Sequence, residues 1–146
     1  MCGGVEYLRE EKKVRTYFPN PQALLPVLLK DGSLNFLPWG RRKEQPGQLP
    51  LGGWARLESI QSGRWDKYFP KPVLIPVLQF MEKDKNRKSH WFPVLKGQYI
   101  QGLLAHYENE VRVYVVTLVP KLENAIHDRW PKMVVKEYKN SHGSIM

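Results

Sequence analysis

Twelve prolines are scattered through the 146 residues, from Pro19 to Pro131. Each lacks a backbone donor and clashes with a preceding helical turn, so long helices are excluded and short extended segments are favoured. The apolar pattern agrees. In "VRVYVVTLV", Val111, Val113, Val115 and Val119 fall on one face, and the other, with Tyr114, Val116 and Leu118, is also largely apolar, as in a central strand. "PVLIPVLQFME" reads as a strand broken or bulged at Pro76, and "HWFPVLK" and "YIQGLLAHY" read as two more, with "KDKNRKS", "KGQ" and "ENE" as turns. "LLPVLLKDGSLNFLPWG" predicts a hairpin through Asp31-Gly32. Helices are expected only near Val5 to Lys13 and in "ARLESIQS". The expected architecture is α+β but β-rich: one domain over residues 1–146, with a barrel-like antiparallel sheet core and a few short helices. Gly40 to Gly53, polar and rich in Pro and Gly, is expected to be a long surface loop, and residues 139–146 a frayed tail.

Hydrophobic residues make up 42% of the chain, which with 5 Trp, 7 Tyr and 5 Phe is a folding composition rather than a disordered one. The single cysteine forms no internal disulfide and favours a reducing compartment. No apolar run approaches membrane-spanning length, and acids and bases from Glu6 to Lys13 leave no signal-peptide core. The expectation is a soluble, cytoplasmic, monomeric protein.

Lys and Arg total 23 against 14 Asp and Glu, a net charge of +9. Such a field attracts polyanions, nucleic acid first among them, although a generic solubilising surface has the same sign. Two local clusters point to unpaired nucleic acid: Arg41, Arg42 and Lys43 beside Trp39, and Lys83, Lys85, Arg87 and Lys88 before Trp91 and Phe92. A cation beside an aromatic ring grips phosphate while the ring stacks on a base, but a charged hairpin tip is also the ordinary mark of a solvated turn.

Cys2 is the first candidate for chemistry. With Met1 attached it is an ordinary thiol near a chain end. With Met1 removed it is a 1,2-aminothiol whose amine and thiol have reference pKa values of about 8 and about 8.5. The amine condenses with an aldehyde to an imine, and the sulfur closes a five-membered thiazolidine. The alternative is a small apolar residue without chemistry. In "NAIHDRWP", His127 offers a general acid or base, Asp128 a loop anchor and Arg129 a phosphate ligand, or else these residues only cap turns. Glu82 ends an apolar run, where desolvation would raise its pKa, or it faces water at a strand end. His90, His106, His127 and His142 lack paired ligand spacing, and there is no CxxC, phosphate-binding glycine loop or GxSxG elbow, so neither metal nor cofactor is expected.

Taken together these segments resemble the SOS-response-associated peptidase (SRAP) family of abasic-site processing proteins. "MCGG" is similar to the family's Met-Cys-Gly-Arg start, and "FPNPQALLPVLL" to its Asn/Pro-rich lead into a strand. "WG" and "WARLES" stand where the family has a Trp-Gly turn and an Asn-Ala-Arg-x-Glu motif. "VLIPVLQFMEK" is similar to its strand ending in Gly-aromatic-aromatic-Glu-Trp, and "AIHDRWP" to its His-Asp-Arg-x-Pro motif. The order holds from Met1 to about Val135, and the chain ends before the family's last elements.

The resemblance implies self-removal of Met1 and capture, by the Cys2 aminothiol, of the ring-opened aldehyde of an abasic site in single-stranded DNA. The product would be a thiazolidine-linked DNA–protein crosslink. Glu82 would position or deprotonate the amine, and His127 would move protons during ring opening and reversal. Arg56 and Arg129 would hold phosphates, with Trp39, Trp54, Arg41 and Arg42 completing the DNA-binding set. The sequence departs from the family at three places: Trp54 replaces the Asn, Gly4 stands for Arg, and Lys83 for Trp. Two other readings stand beside this one: a catalytically impaired, non-covalent single-strand binder with Trp54 as stacking platform, and a protein-interaction domain with only the fold.

Overall fold

A computed structural model describes residues 2–120 and 129–136. Two β-sheets make up most of it. The smaller has four strands in the order β2-β1-β7-β8, formed by β1 (Gly4–Arg9), β2 (Lys12–Tyr17), β7 (Gln79–Lys83) and β8 (Ser89–Pro93). All its pairings are antiparallel. The larger runs β11-β10-β9-β6-β3-β4, from β3 (Leu24–Leu28), β4 (Leu34–Pro38), β6 (Lys71–Ile75), β9 (Gln98–Tyr107), β10 (Glu110–Leu118) and β11 (Trp130–Pro131). Two short strands join it off that path: β5 (Trp54–Arg56) lies parallel to β10, and β12 (Met133–Val135) antiparallel to β9. A five-residue helix, α1 (Leu57–Gln61), follows β5 directly. Among the described residues, no helix is long and apolar enough to cross a membrane.

The expected barrel-like closure is not reached. The larger sheet curls until the end of β4 meets β10, but the meeting is a single bridge, Trp39 with Val113, and β3 meets β6 through one pair, Leu28 with Leu74. A barrel needs continuous staggered ladders around its girth. Pro26 within β3 and Pro38 at the end of β4 cannot donate to such ladders.

Pro76 does more than bulge a strand. It ends β6 in the larger sheet, and the chain restarts as β7 in the smaller one, so a single apolar run crosses from one sheet to the other. The helix expected near Val5 to Lys13 is instead the β1–β2 hairpin. Glu10 and Glu11 sit at φ 51° and 66°, a two-residue turn that matches strand twist. The deciding signal is alternation: Val5 and Tyr7 are buried on one face, while Leu8 lies exposed on the other. Local charge masks that period-two pattern.

The core lies between the sheets. Val5, Tyr7 and Phe80 from the smaller sheet meet Leu25, Val27, Ile75, Ile100, Val113 and Val115 from the larger. A second cluster, with Leu49, Trp65, Tyr114 and Val116, lies on the opposite face of β10, which is why that strand is apolar on both sides. The Gly40–Gly53 loop is anchored rather than free. Leu49 is fully buried, and the Glu110 carboxylate accepts bonds from the amides of Gln48 and Leu49. The loop's base is closed by reciprocal amide–carbonyl bonds between Arg41 and Gly52. Gly40, at φ 55°, packs so tightly on Gly52 and Gly53 that no side chain fits there.

Candidate active site

The smaller sheet brings Cys2 and Glu82 together. Phe80 and Glu82 occupy alternate positions of β7 on the side that faces the core, and Glu82 has no exposed surface. Burial pushes its carboxyl up to about 7. The Gly3 amide donates to the Met81 carbonyl at 3.0 Å, extending the β1–β7 pairing and drawing Cys2 alongside. Cys2 is itself fully buried, and its Sγ donates to the Gly4 carbonyl at 3.4 Å. Burial pushes the thiol pKa far up, and the nearby Glu82 charge raises it further. Of the two readings of Cys2, its burial agrees with the small apolar residue rather than with an exposed aminothiol: the thiol lies inside the packing, with Glu82 as electrostatic neighbour.

Trp54 stands over this pair. Its indole N–H donates to the Cys2 carbonyl at 2.6 Å, and its ring lies 4.9 Å from Phe18 and 6.4 Å from Trp39, centroid to centroid. Beside it opens a cleft of about 560 Å³, whose lining includes Gly3, Tyr17, Phe18, Trp54, Met81 and Lys83. A half-buried tryptophan, two further rings and an exposed lysine suit a flat aromatic group attached to an anion.

The other expected ligands of DNA divide sharply. Arg56, on β5, is exposed. Trp39 has no exposed surface: its ring packs in the core and its indole N–H donates to the Gly53 carbonyl at 2.9 Å, so it is no stacking platform. Arg42 is only 7% exposed; it donates to the Phe18 and Trp39 carbonyls, both at 2.7 Å, and lies over the Phe18 ring. Arg41 donates to the Leu49 and Gln45 carbonyls at 2.7 and 2.8 Å. Both arginines satisfy loop carbonyls that no ladder reaches, so they are scaffold rather than phosphate ligands.

Arg129 is corrected in the same way. It is buried, forks onto the Glu58 carboxylate at 2.7 and 3.0 Å, and donates to the Thr117 carbonyl at 2.8 Å. That hydrogen bonding holds the Glu58 carboxyl down near 2. The clamp ties α1 to β10 and to the start of β11. His127 lies outside the described residues, as do Met1 and residues 139–146.

Sequence reasoning overlooked Tyr17, Phe18 and Met81 as cleft residues. The signal was present in "TYFP", where a ring pair ends an alternating strand just before a proline. No family model matches the chain, and neither a curated protein nor a solved structure matches it.

Proposed function

We propose that this chain is an abasic-site trap, a divergent relative of the SRAP family that crosslinks to single-stranded DNA through Cys2. The observation that carries the reading is the buried Glu82 beside Cys2, directly behind an aromatic, lysine-edged cleft. In this reading Met1 is removed by the chain's own chemistry, and the Cys2 nitrogen becomes a free amine. The amine adds to the sugar aldehyde and water leaves, giving an imine. Sulfur then closes on the imine carbon while its proton passes to nitrogen, giving the thiazolidine.

Glu82 suits the proton traffic. With its pKa near 7, both of its forms are populated at neutral pH, so it can take a proton from the ammonium and return it. His127 takes the second proton-transfer role, and Arg56 a phosphate, by the resemblance alone. Trp54 replaces the family Asn and fulfils two tasks: it fixes the Cys2 carbonyl and offers a ring to the nucleotide beside the lesion. Holding amine and aldehyde in register supplies several powers of ten in rate. The protein would act as a cytoplasmic monomer in the DNA-damage response, without metal or cofactor.

The mass of the purified protein tests the first step, since it should lack Met1. Mixing with single-stranded DNA carrying an abasic site should give a heat-stable adduct on a denaturing gel. An equal yield from Cys2→Ala sinks the reading.

One observation favours a second reading. The Cys2 sulfur has no exposed surface and its thiolate is disfavoured, as in a chain that only binds single strands. That protein keeps Met1, gives no adduct, and binds intact DNA with an affinity that falls with salt and after Trp54→Ala. The same mass and gel separate the two.

A further inference from the structure

We infer that the outer face of the four-stranded sheet is a second stacking platform for single-stranded nucleic acid, continuous with the Trp54 cleft. It rests on the cleft being a nucleic-acid site, but not on Cys2 reacting. Thr16 is buried and Val14 packs on the core, so the alternate residues Lys13, Arg15 and Tyr17 of β2 point outward. Tyr17, Gly4, Met81 and Trp91 form one cross-strand row over the sheet.

Gly4 lets the Tyr17 ring lie low over the sheet. A Cβ at Gly4 would meet the Tyr17 ring at 2.9 Å, so the ring lies across the glycine. It meets Trp91 edge to face, with ring centroids 6.3 Å apart and planes at 76°, so the two rings offer stacking surfaces in two orientations. The Arg15 guanidinium covers Trp91 at 4.3 Å and is held there by Glu6 at 2.8 Å, which also neutralises the one carboxylate of this patch. Tyr17 is 41% exposed and also lines the cleft, so platform and cleft share a residue.

Charge selects the occupant. Lys83 follows Met81 on the same face, Lys13 lies on β2, and both are exposed. An apolar partner would bury these ammonium groups without a counter-charge, whereas a phosphate backbone supplies one at each nucleotide. Rings interleaved with cations are how sequence-tolerant single-strand binders hold bases and backbone together. The geometry therefore leads a strand out of the cleft, over Tyr17 and Trp91.

Fluorescence anisotropy of the full chain with labelled, intact oligothymidylate at low salt tests this, because the probe carries no aldehyde and its binding is independent of Cys2. Tyr17→Ala and Trp91→Ala should each weaken binding by about tenfold. Trp91→Leu, which keeps apolar cover on the sheet if the alanine variant loosens the fold, should do the same. Lys13→Ala and Lys83→Ala should each lower the salt slope by about 0.7. Folded Trp91→Leu and Tyr17→Ala proteins that bind like the unaltered chain would overturn the platform, as would a chain with no affinity for the probe. Absence of an adduct with abasic DNA defeats crosslinking alone and leaves this measurement standing.

Discussion

Two segments look alike in the sequence and behave in opposite ways in the fold. "WGRRK" at Trp39–Lys43 and "KDKNRKSHWF" at Lys83–Phe92 both set cations beside tryptophan. In the first, Trp39 is core, and Arg41 and Arg42 donate inward to carbonyls of the loop and of Phe18. In the second, the backbone is already paired. β7 and β8 form a full ladder, and Asp84 caps the turn by accepting from the amides of Asn86 and Lys88. Lys85, Arg87 and Lys88 are left exposed. A cation is free for a ligand only where its own backbone surroundings do not need it. A long loop with orphaned carbonyls consumes its arginines, and a tight hairpin releases them.

The sharpest way to break this contrast is Arg42→Ala. Loss of two charge-assisted bonds, one to the buried Trp39 carbonyl and one to the part-buried Phe18 carbonyl, should cost on the order of 3 kcal/mol in urea unfolding. A loss below about 0.5 kcal/mol, the range of ordinary surface substitutions, would mean the loop is open and its arginines available. Gly53→Ala should come next. Its Cβ would meet the Phe18 ring at 2.6 Å and the Trp39 indole nitrogen at 2.7 Å, an overpacking cost of about 1–3 kcal/mol.

Glu82→Gln should act through pH. The carboxyl's pKa in the folded chain, about 7, lies above the ordinary 4.5, so the folded state binds the extra proton between those values. Its contribution to stability is complete below the ordinary value and is lost as pH rises through about 7. The thermal midpoint of the unaltered chain should therefore fall across that window relative to Glu82→Gln. If adducts form, their rate should rise over the same window and lose that rise in the variant. The smallest effect on stability belongs to the second segment. Replacing Lys85, Arg87 and Lys88 together by alanine should change unfolding by within about 0.5 kcal/mol, yet flatten the salt dependence of single-strand binding.

Much of the strand content was legible because alternation and turn chemistry are local. Asp31-Gly32 joins β3 to β4, with Gly32 at φ 86° and the Asp31 carboxylate accepting from the Ser33 amide at 2.8 Å. The β1–β2 hairpin was not legible, since the charges of Glu6, Arg9 to Lys13 and Arg15 in and around the turn hid the buried Val5 and Tyr7. Of the candidate site, the nearness of Cys2 to Glu82 was expected through the family resemblance alone, and the burial of the thiol matches the alternative of a small apolar residue rather than the aminothiol reading. Arg129 was read as a phosphate ligand because its partner, Glu58, lies 71 positions away in sequence.

By itself the sequence determined that this chain makes strands rather than helices, that it carries excess positive charge, and that it holds one cysteine, at position 2. Those properties follow from proline placement, residue alternation and counting, none of which needs a partner distant in the chain. Only the tertiary structure decided which tryptophans are core and which face the cleft, and which arginines are spent on carbonyls. Exposure and hydrogen bonding are set by segments that meet across the two sheets, and no local window of residues contains both sides of such a meeting.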